Sequence, residues 1–149
     1  LKVGPRSAGA VPGPACFDRG GLQPTTTDAQ VVLGRLNPDA LLDGSMPIRA
    51  ALAREAIARE IATPLGLSLE AAARGILRVN TNNTMQAIRL MTVNRGLDPR
   101  DAALIAYGGS GPLYAAEVAR LLGIRRVVIP AYSGVNSALG MVQADFEYD

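Results

Sequence analysis

The chain has 149 residues, of which 48% are apolar and 19% are charged, and 15 Lys and Arg against 13 Asp and Glu give a net charge of +2. This composition is that of a globular domain and excludes a disordered or low-complexity chain. The cationic residues form no basic patch and no apolar run is long enough to cross a bilayer, so we expect neither nucleic acid nor a membrane as a partner.

Missing residue types restrict the possible chemistry. The sequence has no His and no Trp, and only one Cys. Without His, a Ser-His or Cys-His nucleophile pair and a His-ligated zinc site are excluded within this chain. A single Cys excludes an intrachain disulfide and fits a reducing compartment, so we expect a cytoplasmic location. Because the chain starts without Met and ends within a strand-like pattern, we expect it to be part of a longer protein.

The N-terminal third is dominated by turn-forming residues. Residues 1–24 are dense in Gly and Pro, but their Ala, Val and Phe side chains indicate an ordered loop that packs against protein rather than a solvated linker. Thr25–Asp28 offers N-cap residues for a short helix from Asp28 to about Leu33. Turns are predicted at 37–39 and 43–45.

Two longer helices should follow. The first is predicted from Pro47 to Thr63, ended by Pro64 and Gly66, with Glu55 and Arg59 as an i,i+4 ion pair. Its apolar stripe consists of Ala50, Ala53, Ile57 and Ile61.

The second predicted helix is the longest, from Leu69 to about Asn94, with Ser68 as its N-cap and Gly96 as its stop. Leu77, Ile88 and Met91 share a face with the polar residues Asn80 and Thr84. These polar groups either bond to a neighbouring loop or buried water, or face a ligand cleft.

The C-terminal third predicts a β-α-β unit with parallel strands. Its parts are a strand over 103–107, the loop Gly108–Gly111, a helix from Pro112 to Gly123 with an inner stripe of Tyr114, Val118, Leu121 and Leu122, and a strand over 126–129. A helix rich in small residues is predicted over 134–144, and residues 146–149 alternate like the start of a strand. The fold class is therefore α/β and helix-rich, with short parallel strands.

The loop Gly108, Gly109, Ser110 and Gly111 is the most informative segment for function. Glycines allow a sharp turn and close approach of a ligand, and the following helix should direct free N–H groups and its positive dipole end toward an anion or a nucleotide. Tyr114 replaces the third glycine of a dinucleotide fingerprint, and no Lys-Ser or Lys-Thr pair makes a Walker loop. A bare packing turn remains the alternative.

Several segments together resemble the hydantoinase A/5-oxoprolinase family, in order and over nearly the whole chain. They are residues 4–16 (GPRSAGAVPGPAC), Gly20-Gly21, Thr27-Asp28-Ala29, 32–36 (VLGRL), 98–101 (DPRD), 107–113 (YGGSGPL) and 137–140 (SALG). The resemblance implies ATP-dependent opening of cyclic amides such as hydantoins or 5-oxoproline, in a family that also contains ketone carboxylases.

The resemblance further implies the fold of the sugar-kinase, actin and heat-shock ATPase superfamily, of which this chain would be one partial domain over 1–149. Its parts would be a Gly/Pro-rich loop and short helix (1–46), a helical pair (47–96), and the adenosine motif with a terminal helix (97–149). Gly108, Gly109, Ser110 and Gly111 would contact the nucleotide. The helix over 134–144 looks like the superfamily's second connecting helix.

By the same resemblance, the cofactors are ATP and a divalent metal, Mg or Mn, held mainly by residues outside this chain. The partners are the small cyclic amide, the rest of the polypeptide and a second, hydantoinase B-type subunit. Transfer of the γ-phosphoryl group to the amide oxygen would create a leaving group, and water would then open the ring. The isolated chain is expected to be inactive.

Four further residues are candidates for a cleft: Arg6, Ser7, Asp28 and Asn80. Arg6 and Ser7 could contact substrate or phosphate, or simply hold their loop. Asp28 could equally be a helix N-cap. Cys16 is expected to be an inert, buried thiol.

Three other functions stay open. The chain could be part of a related ATP-dependent carboxylase or of a small-molecule kinase of the same superfamily. It could also be a non-catalytic assembly module whose apolar faces dock a partner.

Overall fold

A computed structural model describes residues 1–39 and 45–144 and is mixed and helix-rich, with two short parallel strands. The chain divides into two compact units, Leu1–Asn80 and Thr81–Asp149. The division into 1–46, 47–96 and 97–149 that the sequence suggests stays a prediction. Within the described ranges, no helix is both long and apolar enough to cross a bilayer.

Unit 1 is helical. A 3₁₀ turn at Ala15–Phe17 precedes α1 (Thr26–Val32), and α2 (Ala50–Ile57) continues through a π-helical turn (Ala58–Ala62) into α3 (Thr63–Leu65). The prediction that Pro64 ends this helix is wrong, because the backbone remains helical through it until Gly66 adopts a left-handed φ of +62°. The helix also starts at Ala50 rather than at Pro47.

The core of unit 1 follows the predicted stripe of α2. Ala53 and Ile57 are completely buried, and Ala50 and Ile61 pack at the edge of the same cluster. The other buried apolar members are Cys16, Ala29, Val31, Val32, Ile48, Ala62, Ala72, Ala73, Ile76 and Leu77. The predicted pairing of Glu55 with Arg59 is not formed, since Arg59 Nε donates to Glu60 Oε1 at 2.8 Å instead.

Helix α4 (Leu69–Met91) confirms the start and stop signals of the longest predicted helix. Ser68 Oγ accepts a hydrogen bond from Ala71 N at 3.2 Å, as an N-cap does. A 3₁₀ turn over Val93–Arg95 precedes Gly96, whose φ of +76° ends the helical path. Met91, predicted on the apolar face, is exposed.

Unit 2 contains the predicted β-α-β arrangement. Strand β1 (Ala103–Ile105) leads through α5 (Pro112–Leu122) to β2 (Arg126–Val128), and the strands pair in parallel with Leu104 opposite Val127. Their core is Val118, Ala119, Leu122 and Ile124 with Met85, Ile88, Leu104 and Tyr114 packed against it.

Two expectations for unit 2 need correction. Leu121 is exposed, because Val118 and Leu122 already fill the inner side of α5. The terminal helix consists of a 3₁₀ turn (Ser133–Val135) followed by α6 (Asn136–Gln143). The strand predicted over 146–149 and part of the turn over 43–45 lie outside the described residues.

The turn before β1 is fixed by a local ion pair. Asp98 Oδ1 accepts from Arg100 N at 2.9 Å, and Arg100 Nη2 contacts Asp98 Oδ2 at 2.6 Å. Hydrogen bonds from Arg100 lower the pKa of the Asp98 carboxyl to about 2. The aliphatic stem of Arg100 covers Gly123, the left-handed stop of α5, where a Cβ would lie 3.2 Å from Arg100 Cγ.

Truncating the centre of the unit 1 core should destabilise that unit strongly. Ile57→Ala removes a completely buried side chain, so we expect a loss of about 2–5 kcal/mol in the free energy of unfolding, measured by urea titration followed by circular dichroism. The control is Leu65→Ala in α3, whose side chain is 54% exposed and should cost less than about 0.5 kcal/mol. Equal losses in the two variants would contradict this description of the core.

Candidate functional site

The loop between β1 and α5 has two glycines that no other residue can replace without strain. Gly108 has a φ of +84°, a left-handed conformation that favours glycine. A Cβ on Gly111 would collide with the carbonyl oxygen of Tyr107. By contrast, a Cβ on Gly108 or Gly109 would meet no atom within 4 Å, so the loop is not plugged by neighbouring side chains.

The hydrogen-bond donors of this loop differ from those expected. Pro112 has no N–H, Leu113 N donates to Ser110 O at 3.1 Å, and Tyr114 N donates to Gly111 O at 3.4 Å. The first N–H groups of α5 are therefore already used.

The loop itself carries the available donors. In the described part of the chain, the N–H groups of Gly109, Ser110 and Gly111 donate to no protein acceptor, whereas Gly108 N donates to Ser133 O at 2.8 Å. Three consecutive N–H groups can thus donate hydrogen bonds to an oxyanion or to a polar ligand.

An apolar cavity of about 200 Å³ adjoins this loop within unit 2. Gly111 belongs to its wall, and Gly108, Gly109 and Ser110 do not. Its other walls are mainly aliphatic and aromatic: Thr84, Ile88, Leu104, Ile105, Ala106, Tyr107, Tyr114, Ala115 and Val118. Such a wall suits a flat apolar group more than a charged one.

A second, larger cleft of about 1070 Å³ lies within unit 1. It is bordered by the Gly/Pro-rich loop, by Thr25–Thr27, and by Arg59, Glu60 and Ile61 of the π-helical turn. Arg6, Ser7 and Asn80, three of the four predicted cleft residues, come together along it. π-Helical turns are frequent at functional sites, and nothing in the sequence pattern announced this one.

Asp28, the fourth predicted cleft residue, does not line the cleft. Its side chain is completely buried and accepts four hydrogen bonds: Oδ2 from Thr25 N and Thr25 Oγ1 at 2.8 Å and from Ala15 N at 3.3 Å, and Oδ1 from Cys16 N at 2.8 Å. The N-cap is Thr25, and Asp28 is its reciprocal partner at the third helical position. Asp28 therefore joins the Gly/Pro-rich loop to the start of α1.

Cys16 lies beside that carboxylate and is completely buried. Burial, and secondly the negative charge of Asp28, raise the pKa of the Cys16 thiol far above its ordinary value of 9.0. Since the thiolate is the reactive form, the thiol is inert at neutral pH, as the sequence predicted.

The described residues form no cluster of metal-ligating side chains. Across 1–39 and 45–144, no three Asp, Glu, Cys or His side chains come together as a possible ligand set. These residues by themselves therefore provide no such ligand set for a divalent cation.

Comparison with known proteins defines the family. The Hydantoinase/oxoprolinase family model matches residues 1–149. The chain therefore belongs to this family.

Individual relatives agree with this assignment. The chain is 44% identical over its whole length to the caprolactamase subunit alpha of Pseudomonas jessenii, of which it covers 21%. It thus spans about a fifth of the length of that curated relative.

Two solved structures resemble the fold closely. A nucleotide-free structure of an acetone carboxylase, which carboxylates acetone in an ATP-dependent reaction, matches 99% of this chain and 21% of its own chain, with a TM-score of 0.90 and 36% identity. The crystal structure of an ATP-dependent caprolactamase from Pseudomonas jessenii matches the same shares with a TM-score of 0.89 and 43% identity. These two homologues are therefore an ATP-dependent carboxylase and an ATP-dependent caprolactamase.

Removing the acceptors of Asp28 should destabilise unit 1. Asp28→Asn keeps the shape but replaces one acceptor oxygen by a donor NH₂ group that faces another N–H, so we expect a loss of roughly 2 kcal/mol in unfolding free energy, and a larger loss for Asp28→Ala. The matched control is Asp18→Asn, whose carboxylate is 60% exposed and makes only a 3.6 Å surface pair with Arg49. That control should cost less than about 0.5 kcal/mol. An equal response of both variants to urea would refute the anchoring role of Asp28.

The raised pKa of Cys16 predicts two measurable properties. In the native chain, a thiol reagent should react with this single Cys only as fast as unit 1 opens, and denaturant should restore rapid reaction. Because the unfolded thiol ionises first, the stabilisation is complete below about pH 9 and is lost above it, by about 1.4 kcal/mol per pH unit. Cys16→Ala should remove this part of the alkaline slope. Rapid native labelling, or an unchanged slope in the variant, would contradict the buried state.

Proposed function

We propose that this chain is the nucleotide-contacting segment of an ATP-dependent enzyme that opens cyclic amides of the hydantoin or 5-oxoproline type. The observation that carries the proposal is the turn after β1, where three backbone N–H groups without protein acceptors stand next to an apolar cavity. A nucleotide combines a flat, weakly polar base with a polar sugar and oxyanions, which is the pair of properties that this turn and cavity complement.

Each part of the turn has a separate task in the proposed site. The apolar walls beside Gly111 exclude water from the base, and Tyr107 and Tyr114 provide aromatic surface. Gly109, Ser110 and Gly111 donate their N–H groups to the sugar-phosphate part. When bound, ATP would supply a phosphoryl group that activates the amide carbonyl toward water, so that the ring C–N bond breaks with the nitrogen as leaving group and the phosphoryl group ends as inorganic phosphate.

The proposed architecture is that of the actin-like ATPase superfamily. The β1–α5–β2 unit with its glycine turn would be the adenosine motif, and α6, with the small residues Ser137, Ala138 and Gly140, would be the second connecting helix. The 44% identity to a caprolactamase subunit and the likeness to an ATP-dependent caprolactamase support amide hydrolysis as the reaction class. We further propose a cytoplasmic enzyme whose remaining catalytic groups, divalent metal and hydantoinase B-type partner subunit are supplied outside these 149 residues.

A carboxylase is the second candidate. The TM-score of 0.90 to an ATP-dependent acetone carboxylase is as high as that to the caprolactamase. Both of these relatives are ATP-dependent, so the same nucleotide segment can serve either reaction. The acceptor substrate would then be a ketone instead of a cyclic amide.

Titration with ATP tests the proposal. In ¹H–¹⁵N NMR spectra, the amides of Gly109, Ser110 and Gly111 should shift first and saturably. Gly109→Ala should fold, since its Cβ meets no atom within 4 Å. It should weaken ATP binding by about tenfold, because the added methyl group occupies the space of the ligand and displaces a charge-assisted hydrogen bond. Such a bond is worth roughly 1.5–3 kcal/mol. Gly111→Ala should be more damaging because its Cβ collides with Tyr107 O.

The matched control is Gly140→Ala in α6, where a Cβ also meets open space and ATP affinity should not change. Shifts confined to α2 around Arg54, or equal affinity in the Gly109 and Gly140 variants, would reject the proposed site. A chain that shows no nucleotide shifts but binds a second subunit would instead favour an assembly module.

A further inference from the structure

The cleft of unit 1 carries an excess of positive charge. Lys2, Arg6 and Arg59 lie along it, and Glu60 is the only carboxylate among its described lining residues. Glu60 is already paired with Arg59 at 2.8 Å. Within the described part of the chain, Lys2 and Arg6 have no acidic partner, so the cleft presents two cations that no protein carboxylate neutralises. A concave surface with net positive charge concentrates anions.

Ser7 adds a directed donor beside Arg6. Its Oγ accepts a hydrogen bond from Gly9 N at 3.1 Å, which uses a lone pair and leaves the hydroxyl proton to donate to another acceptor. A guanidinium and a hydroxyl on consecutive residues of one wall match the several acceptor oxygens of a carboxylate or a phosphate group.

The wall that carries these donors is held in place at several points. Asp28 fixes the backbone at Ala15 and Cys16, and Arg59 Nη2 donates to Leu22 O at 2.6 Å. Gly21 approaches Gly13 so closely that a Cβ on Gly21 would collide with the carbonyl oxygen of Gly13. A loop fixed in this way loses little further conformational entropy when a ligand binds, which favours affinity.

We propose that this cleft binds the oxyanion group of a small molecule, a carboxylate or a phosphate, through the Arg6 guanidinium and the Ser7 hydroxyl. Its donors all come from residues 1–80, so it is independent of the proposed nucleotide turn. Arg59 serves as a positioning residue, because its guanidinium is engaged by Glu60 and by Leu22 O.

Inorganic phosphate and acetate are the two probes, titrated separately into the 149-residue chain at constant ionic strength. The amides of Ser7 and Gly9 should shift saturably with at least one probe. The probe that binds more tightly shows whether the cleft prefers a phosphate or a carboxylate group. Arg6→Gln should weaken that binding by about tenfold and Ser7→Ala by several-fold, as expected for losing a charged and a neutral hydrogen bond.

The matched control is Arg19→Gln, which removes the same charge from an exposed position of the same loop outside the cleft. It should leave the dissociation constant within about twofold of the original chain, since a solvent-screened charge that does not line the cleft contributes little. The proposal is overturned if neither probe saturates, or if Arg6→Gln and Arg19→Gln weaken binding equally. If Arg6→Gln fails to fold, the Ser7→Ala variant tests the proposal instead. An unchanged affinity of that variant for the probe overturns the proposal.

Discussion

One buried carboxylate organises the N-terminal half of this protein. A completely buried carboxyl group is tolerated only when hydrogen bonds replace its hydration, and Asp28 accepts four, two from Thr25 and two from the backbone of Ala15 and Cys16. Through these bonds, the two carboxyl oxygens of Asp28 both cap α1 and hold the end of the long Gly/Pro-rich segment. Because that segment has only one short 3₁₀ turn of its own, the walls of the cleft depend on this connection.

Glycine supplies the second constraint, through close backbone approach. In unit 1, Gly21 lies against the carbonyl oxygen of Gly13, and in unit 2, Gly111 lies against that of Tyr107. At both places a Cβ would push two backbone segments apart. The same close contact between a glycine and a backbone carbonyl thus holds two parts of the Gly/Pro-rich loop together and shapes the turn after β1. Each of these contacts adjoins one of the two cavities described above.

Local signals in the sequence predicted the secondary-structure elements better than they predicted the residues of the candidate sites. The Ser68 cap, the stops at Gly66, Gly96 and Gly123 and the β-α-β order all depend on neighbouring residues, and they are found where expected. The π-helical turn was missed because its residues also fit an ordinary helix. The reach of Asp28 to Ala15 and Cys16, 13 and 12 positions away, arises from tertiary packing that no local pattern encodes.

The two cavities differ in electrostatic character, and this difference separates their ligands. Backbone N–H groups beside an apolar wall hold oxygen atoms through neutral dipoles, and they suit a ligand that brings its own cation or keeps its charge in solvent. The cleft with Lys2 and Arg6 instead provides fixed positive charge, so it suits an anion that arrives without a cation. The proposed nucleotide and the proposed oxyanion would therefore be complementary to different parts of this chain, each held by the environment that matches its charge.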